Sequence, residues 1–225
     1  MSKKTKKDTP QEPQEPQEDP IRDEAPIIFQ IPGLDGPPPL PKSRIVTLYG
    51  DIDQELASDI ISGLYYLRDS GIIREEEPEE EIEEKIYDPF SLYISTWGGS
   101  ALDMFAIYDT MRMIKNEGCE IHTMGMGKVM SAGVLLLAGG TKGERKIGAN
   151  CRVMLHGVVS GQSGHIHDIE NEMEEARWIQ RRYIKALSEE SDMSQKHIKK
   201  LMDRKINVYF DAKEAVELGI ADEVI

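Results

Sequence analysis

From about residue 44 to the C-terminus, apolar residues alternate between short continuous runs and helix-like spacing. The runs are bounded by glycine or polar residues and predict strands at 45–49, 92–94, 121–126, 152–155, 208–210 and 224–225. Apolar positions three and four residues apart predict helices at about 57–67, 104–114, 134–138, 168–188, 194–204 and 212–218. Asp51 or Asp53 is the predicted N-cap of the first helix, and Gly219 the predicted stop of the last.

The order of these elements predicts an α/β fold with a mainly parallel sheet. Strands that alternate with helices are joined by crossover connections, and such connections are almost always right-handed. The loops that follow the strands then lie along one edge of the sheet, where α/β proteins usually carry out their chemistry. We therefore expect one folded domain over residues 44–225, with its functional groups at the strand ends.

Two segments depart from this pattern in composition. Ten of the twelve prolines lie between residues 10 and 41, within an N-terminal extension (1–43) that is also rich in Gln and Glu. Such a segment cannot bury enough apolar surface to offset its chain entropy, so we expect it to be largely disordered and mobile at least over 1–26. Eight glutamates lie between residues 74 and 85, and their density predicts a solvated acidic insertion without a ligand.

Charge and hydropathy limit the partners. A net charge of −14 argues against a nucleic acid or an anionic membrane surface, because both require clustered Lys and Arg. No apolar run approaches the roughly 20 residues that a membrane span needs. The basic N-terminus is followed by Gln, Glu and Pro rather than by the apolar core of a secretion signal, so we expect a soluble, cytoplasmic protein.

The metal-ligating residue types do not form a site. Cys119 and Cys151 lack the paired spacing of a zinc site or a disulfide framework, so we expect buried free thiols in a reducing compartment. His165 and His167 could begin a metal site, but no third ligand accompanies them. We expect neither a metal nor a cofactor.

Three strand ends carry residues with catalytic potential. Gly98 and Gly99 follow the strand at 92–94 and could turn backbone N–H groups toward an anion, although such a pair often marks only a tight turn. Ser131 precedes the apolar helix at 134–138, where it is either a nucleophile or a helix N-cap. His156 ends the strand at 152–155 and is either a general base or a structural histidine.

Taken together and in this order, these segments resemble the caseinolytic peptidase family ClpP over about residues 44–225. The resemblance extends to the sequences at 107–111 (Ile-Tyr-Asp-Thr-Met) and 212–222 (Ala-Lys-Glu-Ala-Val-Glu-Leu-Gly-Ile-Ala-Asp). It implies a ClpP/crotonase-like fold of superhelical βαβ units, with the long helix from residue 168 protruding as a handle. It also implies that Ser131 is the nucleophile, that His156 is the base, and that the N–H groups of Gly99 and Ala132 form the oxyanion hole.

The chain departs from the family at two positions. The family has an aspartate as the third triad member, and the matching position here is Asn207, which can orient His156 but brings no negative charge. Asp203 and Asp211 lie close enough in sequence to substitute for it. Trp97 stands where the family usually has a proline, a change expected to reshape the substrate cleft.

The resemblance implies a serine endopeptidase that hydrolyses unfolded polypeptides through an acyl-enzyme. The implied assembly is a tetradecameric homo-oligomer of two stacked heptameric rings, with the handle helix between rings, a strand at 157–164 aligning the triad, and an AAA+ unfoldase as partner. Two alternatives stay open. The chain could be an attenuated or inactive ring subunit that acts as a scaffold, or a crotonase-like acyl-CoA enzyme, which shares the core fold.

Overall fold

The computed structural model describes residues 43–73, 86–161, 163–204 and 206–225. The predicted disordered extension, apart from residue 43, and the acidic insertion at 74–85 lie outside the described residues. The described part of the chain belongs to one compact unit, Lys42–Ile225.

The described residues form the predicted α/β fold. The strands are β1 (Ile45–Tyr49), β2 (Ile72–Ile73), β3 (Ile86–Tyr87), β4 (Phe90–Thr96), β5 (Ile121–Met130), β6 (Arg145–Ile147), β7 (Arg152–Leu155), β8 (Val208–Phe210) and β9 (Glu223–Val224). The helices are α1 (Gln54–Ser70), α2 (Ala101–Asn116), α3 (Ala132–Ala138), α4 (Ile166–Glu190), α5 (Gln195–Met202) and α6 (Ala212–Glu217).

Seven of the strands form one sheet, which is mainly parallel. Its order is β1-β4-β5-β6-β9, and β7 pairs in parallel with the second half of β5. The one antiparallel pair of this sheet joins β7 to β8. The sheet therefore divides at β5: residues 123–125 pair with β6, and residues 128–130 continue to β7.

The predicted helices and their caps are confirmed with small shifts. Asp53 caps α1 by accepting a hydrogen bond from the Leu56 N–H at 2.8 Å. Gly219 follows α6 with a φ of +67°, the left-handed conformation that ends many helices. The apolar stripes of the helices face the sheet and build one continuous core.

The structure also contains elements that the apolar pattern does not predict. β5 continues to Met130 rather than ending at residue 126, because its pairing with β4 shifts register after Gly125 and resumes at Val129, and residues 128–130 pair with β7. The strand β6 and the β2–β3 pair are only two or three residues long, too short to show a period. The expected strand at 157–164 is absent from the described residues of that segment.

The long helix α4 packs on the domain through its C-terminal half only. Its buried residues lie in the last two turns and include Tyr183 and Leu187. Met173 and Trp178, nearer the N-terminus, are about half exposed although Met173 belongs to the predicted apolar face. Half of this apolar face therefore has no packing partner within the described residues, as expected of a protruding helix.

A buried ion pair joins the far end of the sheet to the ends of three helices. Arg145 of β6 is 4 % exposed, and its Nη2 and Nε donate to the carboxylate of Asp222, just before β9. The Arg145 Nη1 also donates to the carbonyls of Ala138, Glu190 and Gly219, at the ends of α3, α4 and α6. One guanidinium thus satisfies three helix-end carbonyls that would otherwise be buried without a partner.

No helix among the described residues is long and apolar enough to span a membrane.

Candidate active site

Ser131 lies in a strained turn between β5 and α3. Its φ of 53° makes it the one non-glycine residue with positive φ in the described part of the chain. It occupies the N-cap position of α3, but its side chain makes no capping hydrogen bond, so the hydroxyl is free of the structural role that competed with the nucleophile interpretation. Strain of this kind concentrates at functional sites.

Backbone and side-chain hydrogen bonds hold this turn in place. The Ser131 N–H donates to the Met154 carbonyl of β7 at 2.8 Å. The Ser131 carbonyl accepts from the Val134 N–H at 3.1 Å and from the phenol of Tyr183 on α4 at 2.9 Å. Three elements therefore fix the position from which the Ser131 hydroxyl projects.

The Gly98–Gly99 turn approaches Ser131 more closely than any other residue type would allow. A Cβ on Gly98 would lie 2.6 Å from the Ser131 Cβ, and one on Gly99 would lie 2.2 Å from the Ile52 carbonyl oxygen. The buried Thr96 hydroxyl accepts a hydrogen bond from the Gly98 N–H at 2.9 Å, and this bond fixes the turn. The glycines therefore permit close packing as well as a turn.

Two backbone N–H groups next to Ser131 are available to a bound group. Within the described ranges, the N–H groups of Gly99 and Ala132 have no hydrogen-bond acceptor. Both residues line one cavity together with Ser131 and His156. Two free donors beside a candidate nucleophile are the arrangement that stabilises a tetrahedral oxyanion.

His156 follows β7 directly and is half-buried at the same cavity. This cavity has a volume of about 300 Å³. Its remaining walls are mostly apolar: Trp97, Ser100, Ala101, Met104, Gly157, Val158, Val159, Ile179, Tyr183 and Met202. The structure shows no direct hydrogen bond between the Ser131 hydroxyl and the His156 ring, so the two groups share the cavity without being engaged.

The segment after His156 is held by α4 rather than by strand pairing. The Val158 N–H donates to the side-chain oxygen of Gln180 at 3.1 Å. The resemblance implied a strand here, but the described residues of this segment pair with no neighbouring strand. For one N–H group, that of Val158, the Gln180 side chain of α4 supplies the acceptor that a neighbouring strand would otherwise provide.

Asn207 and His156 each lie one residue beyond the β7–β8 pairing. In that pair Met154 faces Tyr209 and Leu155 faces Val208. Continuing this register by one position would place Asn207 opposite His156. Both residues line a second cavity of about 490 Å³, which shares the wall at His156 with the first. No direct hydrogen bond links them, and the Asn207 Nδ2 donates to the Tyr209 hydroxyl at a long 3.5 Å.

The two aspartates weighed as substitutes for Asn207 have different surroundings. Asp211 caps α6 in a reciprocal capping box with Glu214, so its carboxylate is already engaged and does not line the cavity at His156. Asp203 lines the cavity with His156 and Asn207, but its carboxylate pairs with the Lys199 ammonium one turn earlier on α5. The position of Asn207 therefore favours it over Asp203 and Asp211 as the third member of the triad.

Two features of this site escape sequence reasoning. Periodicity places Tyr183 on the core face of α4 but does not reveal that its hydroxyl bonds to the Ser131 carbonyl. Likewise, Trp97 is recognisable as unusual, but its contact with the Lys128 ammonium, 5.2 Å from the ring centroid, depends on the three-dimensional turn. Spacing along the chain carries no signal for either contact.

The two thiols stand apart from this site. Cys119 and Cys151 are buried and free, as expected. Burial raises the pKa of both thiols, that of Cys151 to about 11, so both stay protonated at neutral pH. Across the described residues no group of three potential metal ligands occurs.

The chain is similar to known proteins in two comparisons. The sequence pattern of the family described as Clp protease matches residues 38–225. The ATP-dependent Clp protease proteolytic subunit 2 of Corynebacterium diphtheriae is 34 % identical over 184 residues, which cover 82 % of this chain and 83 % of that protein. The chain therefore belongs to the Clp protease family.

Proposed function

We propose that this chain is a serine-type endopeptidase subunit that cleaves unfolded polypeptides through an acyl-enzyme. The observation that carries the proposal is the single cavity at which the Ser131 hydroxyl, the His156 ring and the free N–H groups of Gly99 and Ala132 meet. Membership of the Clp protease family favours peptidase chemistry over the acyl-CoA alternative.

In the proposed acylation step, His156 removes the proton of Ser131 as Oγ attacks the substrate carbonyl. The N–H groups of Gly99 and Ala132 donate to the oxyanion that forms. The imidazolium then gives its proton to the leaving amine, and the carbon–nitrogen bond breaks. His156 next removes a proton from water, the resulting hydroxide attacks the ester, and the acid product leaves as Ser131 regains its proton.

Asn207 takes the third role in this proposal. Its side-chain oxygen would accept the Nδ1–H of His156 and hold the ring with Nε2 toward Ser131. The β7–β8 register, continued by one position, and the cavity that both residues line support the assignment. An amide orients the ring without a charge to stabilise the imidazolium, so we expect slow acylation.

The assembly proposed for this subunit is two stacked homo-heptameric rings in the cytoplasm, served by an AAA+ unfoldase. Support comes from family membership and from the unpacked N-terminal half of α4, whose apolar residues suit a contact between rings. The relative from Corynebacterium diphtheriae is itself named as a subunit of an ATP-dependent protease.

A scaffold subunit without activity is the second candidate. The lack of a direct hydrogen bond between Ser131 and His156, together with the amide at Asn207, favours it. The two candidates differ in whether the Ser131 hydroxyl reacts.

Reaction with a fluorophosphonate decides between them. We expect the assembled protein to be labelled and to hydrolyse short apolar peptides, and we expect Ser131→Ala to lose both properties. Ser188→Ala, which removes a hydroxyl on α4 that does not line the cavity, should keep them. A native mass of fourteen subunits without labelling would support the scaffold and contradict the peptidase.

A further inference from the structure

Two cation–aromatic pairs lie on neighbouring strands beside the candidate active site, Lys128 with Trp97 and Arg152 with Tyr209, and these four side chains are here called the aromatic–cationic band. The Lys128 ammonium lies 5.2 Å from the centroid of the Trp97 ring, and the Arg152 guanidinium 5.9 Å from that of Tyr209. Lys128 and Arg152 are paired neighbours in the parallel β5–β7 register, so both side chains leave the same face of the sheet. Aromatic rings flank the two cations.

The band touches the site at both ends. Trp97 is 61 % exposed and forms part of the wall of the cavity that contains Ser131. At the other end, the Tyr209 hydroxyl accepts the long hydrogen bond from Asn207, which lines the second cavity with His156. A polypeptide that is seated at Ser131 and leaves the cavity past Trp97 would meet this band.

The charge of the band is opposite to that of the chain. The net charge is −14, yet in the part of the chain that the structure describes no salt bridge joins Lys128 or Arg152 to a carboxylate. Asp211, which directly follows β8, is engaged elsewhere, because its carboxylate accepts the Glu214 N–H at 2.9 Å in the cap of α6. Among the described residues, neither cation is therefore neutralised by a carboxylate.

We propose that the aromatic–cationic band is a substrate subsite for Asp or Glu side chains that flank the residue held in the apolar cavity. This proposal rests on the proposed peptidase function and names the substrate class of the same site. The rings hold the two cations in place and reduce their contact with water, which strengthens their attraction for a carboxylate. Because each cation is partly solvated, each should raise the affinity for a peptide with an acidic side chain about two- to five-fold over that for a peptide with a neutral one.

The tryptophan content of the chain permits a binding test that does not depend on catalysis. Trp97 and Trp178 are the two tryptophans, and Trp178 lines a separate cavity between α2 and α4. In the double variant Ser131→Ala, Trp178→Phe, the fluorescence of Trp97 alone reports on peptide binding. We would titrate this protein with three peptides that differ only in a Glu, Gln or Lys next to an apolar residue.

We expect the Glu peptide to bind about two- to five-fold more tightly than the Gln peptide, and the Lys peptide to bind more weakly than both. Lys128→Gln and Arg152→Gln should each reduce this difference, and their combination should abolish it. Lys200→Gln, an exposed lysine on α5, is the matched control and should preserve it. Added salt should reduce both the advantage of the Glu peptide and the disadvantage of the Lys peptide relative to the Gln peptide.

Equal affinities for the three peptides, or a Glu preference that survives the Lys128 and Arg152 substitutions, would overturn the subsite. Lys128→Gln and Arg152→Gln, made separately, each keep one cation. The test therefore remains even if the protein that carries both of these substitutions fails to fold. Failure of the proposed function looks different: hydrolysis is then absent or independent of Ser131, while the Trp97 titration still reports whether the band selects acidic peptides.

Discussion

Asn207 is the residue whose replacement has the clearest expected effect. Restoring the family's carboxylate by Asn207→Asp should raise kcat/KM for a short peptide, because a negative charge stabilises the imidazolium that forms during acylation. The reverse change in a serine-protease triad costs about 10⁴ in kcat, so we expect a gain of at least about tenfold.

Asn207→Ala is the control for this prediction, and it should lower activity because nothing then orients the His156 ring. Peptide hydrolysis across pH 6–9 gives the comparison. If Asn207→Asp were no more active than the unchanged chain, Asn207 would not be the third member of the triad.

Tyr183 is expected to act as a positioning residue. Burial raises the pKa of Tyr183 well above its usual value, so its phenol remains a hydrogen-bond donor to the Ser131 carbonyl at any working pH. Tyr183→Phe should lower kcat about three- to ten-fold with little change in KM, since one neutral hydrogen bond to the strained turn is lost.

Tyr108→Phe is a matched control, because it removes a phenol that donates to Glu190 at 2.7 Å, away from the site. Both variants should lose similar stability in thermal unfolding. Only Tyr183→Phe should change kcat, and an equal loss of kcat in both variants would show a general packing effect.

At the scale of elements, the Arg145–Asp222 pair joins β6 to the segment before β9. Burial disfavours the charged carboxyl, but the hydrogen bonds and charge of Arg145 outweigh this and hold the pKa of Asp222 below its usual value. Because the pKa of Asp222 is lower in the folded protein than in the unfolded chain, its ionised carboxylate stabilises the fold at any pH above the ordinary aspartate pKa. This stabilisation is lost as the pH falls through the lower pKa of the folded state.

Asp222→Asn should therefore lower the free energy of unfolding by about 3 kcal/mol at pH 7, because it leaves Arg145 buried without its anion. Urea unfolding at pH 7 and near pH 3 provides the measurement. The difference between the two proteins should shrink at low pH, and a difference that stays constant would mean that the pair contributes through shape rather than charge.

The elements that sequence predicts are those with a long apolar period. α1, α2 and α4 show their buried faces at three- and four-residue spacing, and β1 and β7 are recognisable as bounded apolar runs. The strand β6 consists of Arg-Lys-Ile. Its Arg145 can be buried because Asp222 balances its charge and three backbone carbonyls accept its hydrogen bonds. That compensation is a tertiary effect, absent from any local pattern.

The candidate site is predictable to the extent that it follows strand ends. Ser131 and His156 each come directly after a strand, and the parallel β5–β7 register brings those ends together. The position of Asn207 depends on the antiparallel β7–β8 pairing, which no apolar period specifies. The contact of Tyr183 with Ser131 spans 52 residues and follows from how α4 packs.

At the scale of the whole molecule, the folded unit begins near residue 42, and the family match begins at residue 38. Deleting residues 1–26 should leave thermal unfolding unchanged within about 1 °C, because the Pro-, Gln- and Glu-rich composition of this segment predicts disorder. Loss of soluble protein after this deletion would contradict the expectation, and circular dichroism would show whether the fold itself had changed.

The uneven support of α4 has a mechanical consequence. The helix is clamped at its C-terminal half, where Tyr183 lies, and residue 170 is about 20 Å further along the axis at 1.5 Å per residue. A tilt of about 5° around the clamped end would move residue 170 by about 2 Å while leaving Tyr183 almost in place. The free end of α4 can therefore adjust to a neighbouring surface while the turn that carries Ser131 keeps its geometry.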